Sequence, residues 1–247
     1  MIRDRWSPNH DERPAGTPID TLILHYTGMQ TAKAALDRLC DLEPPAPLPR
    51  VSCHYLVEED GMVWRLVPEE RRAWHAGKSF WRGHELLNAR SIGIEIVNPG
   101  HEWGYRPFPA LQMAAVADLC LEILGRHPIP ARNVVGHSDV APDRKQDPGE
   151  LFDWEGLAAN GIGLWPAGVD GDGRDRPEGG LARAAALLAR IGYPVDPAQP
   201  RVALVAFQRH WRQESVDGEA DSGTLARLEA VARLVEAGAA APESLAG

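Results

Sequence analysis

The apolar positions divide the chain into short continuous runs and longer periodic stretches. TLILHYT (21–27) is short, rich in aliphatics and followed by Gly28, which predicts a buried strand delivering His25 near its end. TAKAALDRLCDL (31–42) instead carries Ala32, Leu36, Leu39 and Leu42 at helical spacing, and the Pro-rich EPPAPLPR after it must be loop. VSCHYLVEEDGMVWRLVPEE (51–70) predicts two strands around a turn at Glu59, Asp60 and Gly61. SIGIEIVN (91–98) alternates Ile92, Ile94 and Ile96 on one face with Gly93, Glu95 and Val97 on the other, the period of a strand.

LQMAAVADLCLEILGRH (111–127) is a long apolar-periodic helix, stopped by Pro128 and Pro130. NVVGHSD (133–139) predicts a short strand that hands over to the polar loop VAPDRKQDPGELF (140–152), and DWEGLAANGI predicts one more helix. Strands and helices interleave around one hairpin, so residues 1–166 are expected to form an α/β unit with a mixed central sheet flanked by helices. AGVDGDGRDRPEGG (167–180), with five Gly and six charges, has almost nothing to bury and is expected to be a flexible linker. Beyond it, LARAAALLARIGYPV, RVALVAFQRHWR and SGTLARLEAVARLVEA predict a small, separable all-α domain of three helices over 181–247, with GAAAPESLAG as a frayed tail.

Composition then narrows the class. With 44% hydrophobic and 25% charged residues among 247, the chain has the makeup of a soluble globular protein with a sizeable core, which excludes wholesale disorder. The net charge of −9 comes from scattered acidic residues, so there is no electrostatic footprint for nucleic acid or an anionic membrane. Cys40, Cys53 and Cys120 sit apart in apolar stretches, the usage of free thiols in a reducing compartment. No apolar run approaches the roughly 18 residues of a membrane span. The first twenty residues contain neither a signal-type run nor an early lipid-accepting Cys, so a cytoplasmic protein is expected.

The most informative chemistry is His25 at one strand end, His137 at another and Asp147 in the following loop. Two imidazoles and a carboxylate suit a divalent transition metal, and three protein ligands leave one position open. Nine His make such a triple easy to assemble, however, and the ten residues from His137 to Asp147 are too many for a compact metal motif. From the residues alone, metal site and unrelated groups both stand.

LILHYT (22–27), VSCHYLVEEDG (51–61), AWHAG (73–77), SIGIEIVN (91–98) and VVGHSDVAPDRKQDPGELFDW (134–154) together resemble the zinc-dependent N-acetylmuramoyl-L-alanine amidases of the amidase-2 group, kin to the peptidoglycan recognition proteins. The five motifs stand in family order, and the His-Ser-Asp…Lys-x-Asp-Pro-Gly segment is the most specific. The helical tail resembles a small peptidoglycan-binding-type domain. The resemblance implies one Zn2+ per chain on His25, His137 and Asp147, with Glu95 as general base and Lys145 as oxyanion-stabilising cation. It also implies Trp74 and His75 along the substrate groove. The implied substrate is a muropeptide or peptidoglycan fragment, cleaved between muramic acid and L-Ala, and absence of an export signal points to anhydromuramyl-peptide recycling. An envelope amidase acting on intact peptidoglycan is the alternative within the family. Glu95 on an apolar strand needs a reason, which favours the catalytic reading. Its complete ligand set speaks against a module that only binds cell wall. A two-His-one-carboxylate iron oxygenase lacks support, because no closely spaced His-x-Asp or His-x-Glu pair is present. His54 is expected to be a hydrogen-bonded core histidine. His10, His84, His101, His127 and His210 are expected at the surface.

Overall fold

In chain order, the computed structural model, which describes residues 2–169 and 173–240, begins with strands β1 (Ile2–Asp4), β2 (His10–Glu12) and β3 (Thr21–Tyr26) and helix α1 (Ala32–Leu39). There follow β4 (Tyr55–Val57), β5 (Val63–Arg65), β6 (Arg71–Ala73), β7 (Phe80–Trp81), β8 (His84–Glu85), β9 (Ser91–Ile96) and the short helix α2 (Gly100–Trp103). After α3 (Ala110–Arg126) come β10 (Val134–Gly136), α4 (His137–Val140) and α5 (Trp154–Ala159). The chain closes with α6 (Gly180–Ile191), α7 (Pro200–Trp211) and α8 (Ser222–Ala240).

Six strands form the central sheet in the order β1-β5-β4-β9-β3-β10. Only the β4–β5 hairpin is antiparallel, so the sheet is mixed, as the interleaved pattern predicts. Period-two alternation divides its faces. Leu22, Leu24, Ile92, Ile94 and Ile96 join the cluster that contains Val116, Leu119 and Ile123 of α3. On the opposite face, the β3–β9 register sets Ile23 beside Gly93 and His25 beside Glu95. One face thus packs on α3, and the other, beyond the apolar Ile23, carries polar groups at the carboxyl ends of parallel strands.

The helix boundaries follow local chemistry. Thr31 caps α1 by accepting the Ala34 N–H, and Asp153 caps α5 by accepting that of Gly156. The predicted strand 133–139 stops at Gly136. From His137 the chain turns into α4, because the Asp139 carboxylate accepts the Gly136 N–H and closes a helical turn. Strands β1, β2, β6, β7 and β8 have two or three residues each, too short to show periodicity. Pairs such as Arg72–Asp11 and Arg65–Asp4 link those that neighbour one another.

The three predicted C-terminal helices are present as α6, α7 and α8. The helical unit packs against the α/β unit. Leu188, Phe207, Trp211 and Leu228 of the helical unit share one apolar cluster with Ile23, Trp81, Leu87, Val135 and Val140 of the α/β unit. Arg82 donates to the Ile191 carbonyl, and Arg209 pairs with Glu150. The second half of the presumed linker is also docked, since Gly173 and Asp175 accept backbone N–H groups from Gly223 and Ser222 at the start of α8. Gly238 to Ala240, predicted as tail, continue α8, and the rest of that segment lies outside the described residues. All three cysteines are free, and no helix among the described residues is long and apolar enough to cross a membrane.

Candidate metal centre

Three donors from three places in the sequence converge. His25 comes from the end of β3, His137 from the first residue of α4, and Asp147 from the loop beyond it, which the Ser138 N–H ties back by donating to the Asp147 carbonyl at 2.9 Å. Nδ1 of His25 lies 2.9 Å from Nδ1 of His137, and each lies 3.0 Å from Oδ2 of Asp147. All three side chains are buried.

The hydrogen bonds behind these atoms decide which nitrogens carry protons. Nε2–H of His137 donates to the Ala76 carbonyl at 3.2 Å, which leaves its Nδ1 a bare lone pair. For His25 the assignment runs through three residues. The Ser91 hydroxyl donates to the Leu87 carbonyl at 2.7 Å and so accepts from Nε2–H of His75 at 3.2 Å. Nδ1 of His75 must then accept from Nε2–H of His25 at 3.0 Å, and Nδ1 of His25 is the second bare lone pair. Two imidazole lone pairs and a carboxylate oxygen therefore face one another with no proton to share among them. Such a set repels itself without a cation and fits one well. Donor atoms near 3.0 Å apart, two imidazole nitrogens and a carboxylate oxygen, are a set that would hold a divalent ion such as zinc.

The electrostatics agree. Burial, reinforced by His137 and Lys145 and opposed by Asp147, lowers His25 to about 4, so it is neutral at pH 7. Burial pushes Asp147 upward, but the adjoining His137 and His25 outweigh it and leave the carboxyl well below its usual range. A neutral His25 imidazole and an ionised Asp147 carboxylate are the forms that bind metal. Glu95 behaves oppositely. Burial raises it well above the ordinary carboxylate range, the Asp147 charge adds to this, and Lys145 partly offsets both. Its Oε2 is buried without a hydrogen-bond partner among the described residues.

Glu95, Lys145, His137 and Asp147 line one cavity of about 170 Å³ together with Trp74 and His75. Every residue singled out from the sequence thus lies on this cavity or, for His25, within the triangle behind it. Trp74 is half-buried with its indole N–H on Asp11. His75, however, spends both ring nitrogens on protein groups behind His25, a supporting position more than a groove-lining one. Its ring lies over Gly93, where a Cβ would come within 2.5 Å of it. A larger cleft of about 870 Å³ runs between β7–β8, the loop after α4 and the helical unit, away from the three donors.

His54 is the buried core histidine expected, accepting the Gly93 N–H on Nδ1 and facing the Arg71 carbonyl with Nε2. His210 departs from expectation. It is 3% exposed and bonds Asp139, because α7 packs that turn against a buried carboxylate and not against solvent. The Ser91 hydroxyl and the Ala76 carbonyl were not foreseen either. Both act through contacts between distant segments that no local pattern reveals.

The family model described as N-acetylmuramoyl-L-alanine amidase matches residues 15–150. N-acetylmuramoyl-L-alanine amidase AmiD of Escherichia coli is 39% identical over 235 residues, covering 86% of this chain and 82% of the relative. The 1,6-anhydro-N-acetylmuramyl-L-alanine amidase AmpD of the same organism is 44% identical over 160 residues, covering 60% of this chain and 85% of its own. Among solved structures, the E. coli AmiD complex with anhydro-N-acetylmuramic acid-L-Ala-D-gamma-Glu-L-Lys superposes with a TM-score of 0.79 at 38% identity, covering 89% of this chain and 91% of that one. AmpDh3 from Pseudomonas aeruginosa gives 0.76 at 33%, covering 95% and 99%. Sequence motifs, mixed sheet and donor triangle converge with these matches: the chain belongs to the N-acetylmuramoyl-L-alanine amidase family.

Proposed function

We propose that the protein is a zinc-dependent amidase that hydrolyses the bond between anhydro-N-acetylmuramic acid and L-Ala in peptidoglycan fragments, a step of cell-wall recycling. The observation that carries this reading is the triangle of His25 Nδ1, His137 Nδ1 and Asp147 Oδ2 beside the Oε2 of Glu95, which has no hydrogen-bond partner among the described residues. Its substrate class is supported by the relatives, whose names and complexes specify anhydromuramyl-L-alanine compounds. The helical unit is read as a peptidoglycan-binding-type domain, on the strength of its sequence resemblance.

One zinc ion held by the three ligands supplies Lewis acidity toward the scissile carbonyl and lowers the pKa of water toward about 7. Glu95, held in the cavity with a raised pKa, takes the proton of the attacking water and delivers it to the departing L-Ala amine. The Lys145 ammonium stabilises the negative charge that grows on the carbonyl oxygen. Trp74, which lines the cavity, offers an aromatic face for the sugar. A cytoplasmic place of action is supported by the three unpaired thiols.

The test is an incubation of purified protein with anhydromuramyl-tripeptide and, separately, with its non-anhydro counterpart, followed by chromatography. Free tripeptide should appear faster from the anhydro compound, vanish after chelation and return with added zinc. No release from either compound by the zinc-loaded protein would overturn the amidase reading.

A further inference from the structure

One polar node joins the two units, and the reaction described above does not use it. Asp139, fully buried in α4, lies two residues beyond His137. Its Oδ2 accepts the Gly136 N–H at 2.7 Å and Nδ1–H of His210 at 2.6 Å, and its Oδ1 accepts the Tyr193 hydroxyl at 2.6 Å. Tyr193 and His210 both belong to the helical unit, 54 and 71 residues away in sequence. The Tyr193 oxygen also accepts the Trp211 indole N–H at 3.1 Å. The His210 ring stacks between Trp211, at 4.0 Å, and Trp154 of the α/β unit, at 3.8 Å.

A carboxylate with no access to water needs donors, because leaving it unsatisfied in the interior is costly. One donor comes from its own turn and two come from the helical unit. The same turn positions the metal ligands. His137 follows Gly136 directly, and Ser138 holds the Asp147 backbone. A Cβ on Gly136 would come within 2.7 Å of Pro148, the residue after Asp147, and within 3.3 Å of the Trp154 ring that stacks on His210. The turn is therefore pinned on one side by the ligand loop and on the other by the helical unit. With its two outer donors removed, Asp139 would turn toward water and take the Gly136–Ser138 backbone with it.

We infer that Tyr193 and His210 are positioning residues of the metal centre, acting through Asp139 to fix the turn that presents His137. This rests on the zinc reading given above. The experiment measures zinc affinity of the full-length chain by competition with a chelating dye, for wild type, Tyr193→Phe, His210→Leu, His210→Asn and Arg82→Ala. The Asn amide nitrogen replaces Nδ1 as donor, and Arg82→Ala removes an inter-unit hydrogen bond, to the Ile191 carbonyl, that engages neither Asp139 nor its two donors from the helical unit. Tyr193→Phe and His210→Leu should bind zinc about tenfold more weakly with unchanged circular dichroism, while His210→Asn recovers most of the loss and Arg82→Ala shows none. Wild-type affinity in folded Tyr193→Phe and His210→Leu, or an equal loss in Arg82→Ala, would overturn the inference in favour of plain adhesion between units. Should His210→Leu fail to fold, Tyr193→Phe decides alone, since it deletes a single oxygen. A wild-type chain that binds no zinc would instead overturn the metal reading, and the inference with it.

Discussion

Nδ1 of His75 lies 3.0 Å from Nε2 of His25 and is the acceptor in that contact, so a residue outside the donor triangle sets the tautomer of a candidate metal ligand. His75→Phe removes the acceptor and should weaken zinc binding by about tenfold to a hundredfold. His75→Asn, whose amide oxygen can stand near the Nδ1 position, should retain more of it. Zinc titration against a competing chelator reads both. Equal affinities across wild type and the two variants would show that the hydrogen bond does not orient His25.

Glu95 and Lys145 should separate chemistry from metal binding. Glu95→Gln keeps size and shape but cannot take a proton, so turnover should fall by about two to four orders of magnitude. Lys145→Ala should cost about a hundredfold or more in rate. Elemental analysis should return about one zinc per chain in both, whereas His25→Ala, His137→Ala and Asp147→Ala should lose metal and activity together. Near-wild-type hydrolysis by Glu95→Gln would exclude it as the base.

Truncation before α6 should yield an unstable or aggregating protein. Ile23, Trp81, Leu87, Val135 and Val140 would lose the apolar partners contributed by α6, α7 and α8, and each large side chain returned to water costs about 1.5–3 kcal/mol. Thermal unfolding of the full-length chain should accordingly show one transition. A soluble truncated protein with cooperative unfolding would restore the separable domain that linker composition suggests.

Acid should destabilise the metal-free protein through His54. Burial, aided by the Arg13 charge, lowers this imidazole from 6.5 to about 3. Between those values the unfolded chain binds a proton that the folded chain refuses, so the stabilisation is present above pH 6.5 and lost as pH falls toward 3. The contribution to the slope is about 1.4 kcal/mol per pH unit. Urea unfolding of wild type and His54→Asn, whose amide oxygen can accept the Gly93 N–H, should show a slope shallower by about that amount in the variant. Parallel curves would assign the acid sensitivity elsewhere.

The central strands and long helices were legible because burial on a regular element imposes a period. Ile92, Ile94 and Ile96 announce one covered face, and Glu95 between them announces a carboxylate that packing does not explain. The sequence also singled out the candidate ligands His25, His137 and Asp147, through motifs whose order resembles that of a family. It could not reveal how the units meet. The linker reads as loose because composition reports what a segment can bury itself and says nothing of what docks on it. His210 looks like one surface histidine among several until α7 turns it onto Asp139. The proton on His25 is decided by a carbonyl at Leu87, reached through His75 and Ser91, and their sequence separations carry no period. Only the tertiary structure brings such groups to within 3 Å of one another, because a hydrogen bond depends on where chains cross in space and not on spacing along them.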